Sequence, residues 1–145
     1  MNIKFARHVS LIFVLLLVVM SQPATGVDGI KWVSYEEGMA VAPVEKKKIF
    51  LHFYADWCVY CGKMAKESFQ NPEVIAALNE DFISIRVNSD HDMATAMKYG
   101  VRGLPYTLFL MDTGETLGAI AGYIPPEPLL AMLKEAKSIT ADNLK

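Results

Sequence analysis

Two cysteines, Cys58 and Cys61, are the only cysteines in the chain of 145 residues. A bond between them closes a very small ring, which removes little entropy from the unfolded chain, so a structural staple explains the pair poorly. At a helix N-terminus, free backbone N–H groups would stabilise Cys58 as an attacking thiolate. Cys61, about one turn later, could then release a partner held in a mixed disulfide. The spacing therefore predicts dithiol–disulfide exchange, and a passive buried pair is the alternative.

Metal and haem chemistry are weaker explanations of the same pair. A c-type haem site requires a histidine directly after the second cysteine, and Gly62 occupies that position. A zinc site requires about four ligands, and only His52 and His91 could supplement the two thiols. We therefore expect no metal and no cofactor beyond the redox-active disulfide Cys58–Cys61.

The segment before the cysteines must position them. Residues 49–54 form an apolar run interrupted only by His52, which is typical of a strand buried on both faces. A helix is predicted from Cys58 to about Phe69, and Pro43 is expected to end an earlier one. The other predicted elements are strands at 30–33, 82–87, 106–111 and 116–121, and helices at 35–42, 71–79, 92–99 and 125–138. This order predicts one α/β domain with a central mixed β-sheet flanked by helices on both faces.

The N-terminal residues have the three regions of a secretory signal: Lys4 and Arg7, an apolar stretch at 9–20, and the small residues Ala24 and Gly26. The apolar stretch is shorter than the roughly 20 residues of a membrane-spanning helix. We predict a signal peptide at 1–26 and a single domain at 27–145 that is periplasmic or otherwise exported. An uncleaved N-terminal membrane anchor is the alternative.

The bulk composition excludes some classes of partner. The chain is 52% hydrophobic with a formal net charge of −2, which is typical of a globular protein. It has no extended basic patch, so we expect no binding to nucleic acid.

Three motifs, taken in order, resemble the thioredoxin superfamily, and in particular the C-terminal periplasmic thioredoxin-like domain of the DsbD family. They are Tyr54-Ala55-Asp56-Trp57-Cys58-Val59-x-Cys61, the FQNPEV segment at 69–74, and Gly103-Leu104-Pro105. The resemblance covers residues 30–138. It implies the thioredoxin fold and a thiol–disulfide oxidoreductase of the protein-disulfide reductase type.

The resemblance also implies roles for the residues around the pair. Pro105 should be a cis-proline that lies against the cysteines, with an ordinary trans proline as the alternative. The substrate-binding site should be shaped by Trp57, Val59, Tyr60, Leu104 and Pro105. For Trp57, a simple lid on the core is an equally open reading.

Two positions depart from the family pattern. His52 stands where thioredoxins have a buried acid, and Ala65 stands where the DsbD-like domain has another. By resemblance His52 should lie beneath Cys61, where a neutral imidazole could accept a proton from Cys61, or a protonated one could favour a nearby thiolate. Replacing His52 should then change the pH dependence of the resolving step between about pH 5 and 8. A buried histidine held by one hydrogen bond is the alternative.

Three functions remain open at this stage. A reductant would take electrons from a membrane-bound dithiol donor and pass them to protein disulfides, and the resemblance to the DsbD domain favours this function. An oxidant or isomerase would make or reshuffle disulfides, and a non-catalytic binding module would use the fold without turnover. No dimerisation segment is visible, so we expect a monomer with protein thiols and disulfides as its partners.

Overall fold

The computed structural model describes residues 29–140, so the signal peptide predicted at 1–26 lies outside the described residues. The strands are β1 (Trp32–Val33), β2 (Lys48–Tyr54), β3 (Phe82–Asn88), β4 (Tyr106–Leu110) and β5 (Thr116–Ala121). The helices are α1 (Tyr35–Glu45), α2 (Val59–Lys66), α3 (Pro72–Asp81), α4 (Met93–Lys98) and α5 (Pro126–Ser138). A short 3₁₀ helix, Ser68–Gln70, lies between α2 and α3.

The five strands form one mixed sheet in the order β1-β3-β2-β4-β5. Strands β1, β3 and β2 run parallel, whereas β4 is antiparallel to both β2 and β5. Strand β2 is therefore central and has a neighbour on each side, which places the cysteines that follow it at the middle of one sheet edge. The α/β architecture expected from the sequence is confirmed.

Successive side chains of β2 point to opposite faces of the sheet, so both faces are apolar, and helices cover each of them. Phe50 packs in a core with residues of α2, α3 and α5. Leu51 and Phe53 point to the opposite core, which includes residues of α1 and α4. These three side chains are fully buried. Each such side chain stabilises the fold by about 1.5–3 kcal/mol through burial.

Helix α1 approaches the sheet closely at a glycine. A Cβ atom added to Gly38 would collide with the side chain of Ile85 on β3, which is fully buried and would have to move, so the close approach favours glycine. The predicted end of this helix at Pro43 is wrong, since α1 continues to Glu45. Pro43 lies in the last turn, where the missing N–H removes only one hydrogen bond before Lys46 ends the helix in the left-handed conformation.

Helix α2 also differs from its predicted bounds. Cys58 is the N-cap rather than the first helical residue, and the α-helix ends at Lys66 before the separate 3₁₀ helix around Phe69. The predicted caps at Ser34 and Asn71 are present, because each side chain accepts a backbone N–H of the following turn. None of the helices within residues 29–140 is long and apolar enough to cross a membrane.

Candidate active site

The junction between β2 and α2 places Cys58 at the start of a helix. The backbone N–H of Cys58 donates to the carbonyl oxygen of Ala55 at 3.2 Å, which forms the turn after the strand. Cys58 itself is extended (φ −77°, ψ 106°) and caps α2. Its Sγ accepts the backbone N–H of Cys61 at 3.1 Å. A thiolate at this Sγ would receive the same hydrogen bond and the favourable end of the helix dipole.

The two cysteines are joined as a disulfide, with their Cα atoms 5.2 Å apart. Cys58 is 7% exposed and Cys61 is 2% exposed, so the first cysteine is the more accessible of the two. Neighbouring side chains cover most of the surface of Cys58 in this disulfide form. The order of accessibility agrees with Cys58 as the attacking residue, which stays a prediction.

The loop before β4 supplies part of this cover. Strand β4 pairs with β2, and Phe53 lies opposite Tyr106, so the residues preceding β4 lie next to the end of β2. Leu104 packs against the small cluster of Ala55, Cys58 and Cys61. The Leu104–Pro105 peptide bond is cis, as the resemblance implied, and Pro105 is buried. The carbonyl oxygen of Pro105 accepts the N–H of Gly122 at 2.7 Å.

Three apolar side chains around the disulfide are exposed. Trp57 is 69% exposed, Val59 is 81% exposed and Tyr60 is 61% exposed. The indole Nε1 of Trp57 donates to a carboxylate oxygen of Asp90 at 2.9 Å. This bond fixes the ring at the surface, so Trp57 is not a lid over the core.

His52 lies in strand β2 and is surrounded by apolar side chains. It is fully buried, and its ring meets Phe69 edge-on at 4.9 Å between centroids and stacks with Phe50 at 6.4 Å. The imidazole Nδ1 and the Thr107 hydroxyl are hydrogen-bonded at 3.1 Å. Its Nε2 has no hydrogen-bond partner among the described residues.

Burial, followed by the nearby Arg86 cation, lowers the pKa of His52 from 6.5 to about 3. The imidazole is therefore neutral throughout the range from pH 5 to 8, which disfavours the alternative of a protonated His52 that would stabilise a nearby thiolate. Desolvation opposes a cation at this position. A role for His52 as a proton acceptor from Cys61 stays a prediction, and its contacts are those of a packed core residue.

Several residues of the site carry no recognisable signal in the sequence. Asp90 holds Trp57, and Asn88 donates to Asp56 at 3.4 Å. Met93 and Met97 of α4 are exposed and line a groove that reaches Trp57 and Leu104. Thr107, opposite His52 in the β2–β4 register, could have been suspected as the polar residue of an apolar strand.

The part of the chain that the structure describes contains no cluster of three or more His, Cys, Asp or Glu side chains that could hold a metal ion.

Comparison with known proteins relates this geometry to a family. A family profile described as a thioredoxin-like domain matches residues 35–137. The thiol:disulfide interchange protein DsbD of Escherichia coli O6:H1 is 30% identical over 105 residues, which are 69% of this chain and 19% of that protein. The Salmonella typhimurium DsbD is 35% identical over 83 residues, 55% of this chain and 15% of that protein. The chain thus spans about a fifth or less of the length of these relatives.

Solved structures show the same fold. A thioredoxin from Thermus thermophilus superposes with a TM-score of 0.70 at 24% identity, covering 77% of this chain and 89% of that chain. A structure described as DsbH oxidoreductase gives a TM-score of 0.68 at 20% identity, covering 83% and 94% respectively. With the matched residues 35–137 containing both cysteines and the cis-proline loop, the chain belongs to the thioredoxin-like domain family.

Proposed function

We propose that this protein is a thiol–disulfide oxidoreductase that reduces disulfides of exported proteins through Cys58 and Cys61. The observation that carries the proposal is the disulfide at the N-terminus of α2, where Sγ of Cys58 already accepts the N–H of Cys61. The same groups would stabilise the thiolate in the reduced form. The relatives named as thiol:disulfide interchange proteins support exchange as the reaction.

The reaction consists of two balanced exchanges. The Cys58 thiolate attacks one sulfur of the substrate disulfide, forming a mixed disulfide and releasing the other substrate sulfur as a thiolate. The Cys61 thiolate then attacks Sγ of Cys58 and releases the second substrate sulfur. Two electrons have moved to the substrate, and the protein is left with the Cys58–Cys61 disulfide observed here. A dithiol donor, which we place in the membrane, restores the reduced form by the reverse sequence.

The surroundings of the pair support these roles. Cys61, at 2% exposure, is less accessible than Cys58 and is reached from within the protein. Exposed Trp57, Val59 and Tyr60 surround the pair with apolar surface that a protein substrate could cover. Leu104 packs against the cysteines and precedes the cis bond to Pro105, and a substrate backbone would lie along these two residues. Their role in binding substrate is part of the proposal.

The direct test is turnover of insulin, whose interchain disulfides the reduced protein should break in the presence of dithiothreitol as the electron donor. Wild type should accelerate the reduction, while Cys58→Ser and Cys61→Ser should not complete a catalytic cycle. Val44→Ser, at an exposed residue with no place in the proposed site, is the matched control and should act as wild type. An equal rate for wild type and both cysteine variants would contradict the proposed function.

Export is part of the same proposal. If residues 1–26 are a cleaved signal peptide, the mature protein begins at Val27. The intact mass of protein recovered from the periplasm of an expressing cell measures this directly. A full-length mass in the membrane fraction would instead establish the N-terminal residues as an anchor.

A further inference from the structure

We propose that a pocket at the carboxyl ends of β1 and β3 binds a small α-amino acid in its zwitterionic form, with the ligand carboxylate at Arg86 and the ligand ammonium group at Glu36 and Asp92. The inference adds a noncovalent binding site to the proposed exchange reaction and does not depend on that reaction. Amino acids that carry a thiol or a disulfide belong to this class of ligand.

The pocket has a volume of about 500 Å³, which is within the range of small-molecule sites. It lies between the start of α1 and the loop that leads from β3 to α4. Most of the residues that line it are polar or charged: Ser34, Glu36, Arg86, Asn88, His91 and Asp92. A pocket with this lining favours a charged ligand over an apolar one.

Arg86 lies where the helices leave the sheet uncovered. Its neighbours along β3, Ile85 and Val87, belong to the core that contains Leu51 and Phe53, so Arg86 points to the opposite face of the sheet. Helices α1 and α4, which follow β1 and β3, pack against that same core. Neither helix therefore covers the side chain of Arg86, and the pocket stays open beside it.

The guanidinium group of Arg86 is stacked on aromatic rings but has no anionic partner. Its Cζ lies 3.9 Å from the ring centroid of Tyr54 and 5.8 Å from that of Trp32. Its Nε is buried and has no hydrogen-bond partner among the described residues. Arg86 takes part in neither of the two ion pairs found within residues 29–140. A cation partly removed from water gains from an anionic partner, and a planar guanidinium held by stacking is suited to bind a carboxylate.

Two carboxylates of the pocket distinguish a zwitterion from a simple anion as the ligand. Glu36 is exposed in the first turn of α1, and Asp92 is the N-cap of α4. One oxygen of Asp92 accepts the backbone N–H of Thr95 at 3.0 Å, which fixes the carboxylate in place. These two acids repel a ligand that carries only negative charge and attract an ammonium group. Because no ion pair joins either acid to Arg86, a ligand that carries both charges fits between them.

Tyr54 connects the pocket to the redox pair. Its ring stacks on Arg86, and the side chain also packs against the cluster of Ala55, Cys58 and Cys61. One aromatic side chain therefore separates a ligand at Arg86 from the disulfide. An amino acid that carries a thiol or a disulfide would be held beside the pair in this arrangement.

The test uses three thioether probes that cannot exchange disulfides, so its result is independent of the proposed function. S-methylcysteine carries both charges, methylthiopropionate carries only the carboxylate, and methylthioethylamine carries only the ammonium group. Affinities are measured by NMR titration of wild type, Arg86→Gln, Arg86→Lys and the double variant Glu36→Gln/Asp92→Asn, which keeps a capping side chain at the start of α4. Arg102→Gln is the matched control, because Arg102 is exposed and does not line the pocket.

Wild type and Arg102→Gln should bind S-methylcysteine at least about tenfold more tightly than either singly charged probe, since each ligand charge forms a hydrogen bond to a charged group. Arg86→Gln should lose at least about tenfold in affinity for S-methylcysteine, and Arg86→Lys should lose less because it keeps the positive charge. The double variant should bind methylthiopropionate as tightly as S-methylcysteine.

Three results would overturn the inference: equal affinity of wild type for the three probes, no saturable shift with S-methylcysteine, or the same loss in Arg102→Gln as in Arg86→Gln. If Arg86→Gln does not fold, Arg86→Lys and the double variant decide the outcome, because a zwitterion preference that both variants retain in full would also overturn it.

Discussion

Two parts of the segment that runs through the Cys58–Cys61 disulfide are built in opposite ways. On the buried side, in strand β2, His52 is fully buried among aromatic rings and hydrogen-bonded to Thr107. On the outer side, next to the cysteines, Trp57, Val59 and Tyr60 are more than half exposed although they are apolar. The buried polar imidazole of His52 and the exposed apolar side chains thus lie only a few residues apart in the same segment.

The buried side of this segment serves folding stability, and the outer side is available for contact with a partner. The buried side fixes the end of β2 and keeps the imidazole neutral, so that it contributes to folding stability in a pH-dependent way. The outer side contributes little to the core and is available to a partner. Substitutions on the buried side should therefore change stability, and substitutions on the outer side should change exchange with substrates.

The cysteines on the outer side should give the largest effect. Cys58→Ser removes the attacking thiolate, and the rate of protein disulfide reduction should fall at least about 100-fold, since Cys61, the one cysteine that remains, is only 2% exposed. Cys61→Ser should accumulate mixed disulfides with substrate proteins, detected by non-reducing electrophoresis. Accumulation with Cys58→Ser alone would reverse the two roles.

The buried His52 should dominate the acid sensitivity of the fold. Below about pH 6.5 the unfolded chain binds a proton at His52 that the folded protein excludes until about pH 3, so the free energy of unfolding falls as the pH falls. Between pH 6.5 and 5 the loss should be about 2 kcal/mol, measured by urea unfolding at both values. This contribution should be absent from His52→Phe and present in His91→Gln, which changes an exposed loop histidine. The same loss in His52→Phe as in wild type would contradict the buried neutral state.

The hydrogen bond between His52 and Thr107 should have a smaller effect. Thr107→Val removes the hydroxyl and leaves Nδ1 of the buried imidazole without its partner, which should lower the free energy of unfolding by roughly 1–2 kcal/mol at pH 7. Thr107→Ser keeps a hydroxyl and should recover part of this loss. Exchange rates per folded molecule should stay near wild type, and a strong loss of rate would show that the two sides are coupled.

The smallest effect is expected at the Trp57–Asp90 hydrogen bond. Asp90→Ala frees the indole on an exposed surface, so stability should change by less than about 1 kcal/mol, while KM for a protein substrate should rise a few-fold. Asp90→Asn keeps an acceptor oxygen and should stay closer to wild type. An unchanged KM in Asp90→Ala would mean that the fixed position of Trp57 has no part in binding.

Most of the framework is predictable from local sequence. The apolar run at 49–54 predicts the central strand, and Ser34 and Asn71 cap the helices that follow them. The position of Cys58 at a strand-to-helix junction also follows from its neighbours. Each of these features depends on residues within about one turn of each other, which is the range over which hydrophobic periodicity and capping act.

The rest of the site depends on residues that are distant in the chain. The low exposure of Cys58 depends on packing with Leu104, which the β2–β4 pairing brings beside it. The neutral state of His52 depends first on its burial, to which Phe50 and Phe69 contribute, and then on the nearby Arg86 cation. Met93 and Met97 have no visible relation to Trp57 in the sequence, yet they line one groove with it. Long-range packing of this kind cannot be deduced from spacing alone.

The reduction potential of the Cys58–Cys61 pair, measured at equilibrium with glutathione, tests the central claim most directly. A protein that reduces substrates through a stabilised disulfide should have a potential near that of thioredoxin, about −270 mV. A potential near about −120 mV would contradict the account, because the pair would then be a strong oxidant that donates its disulfide to substrates.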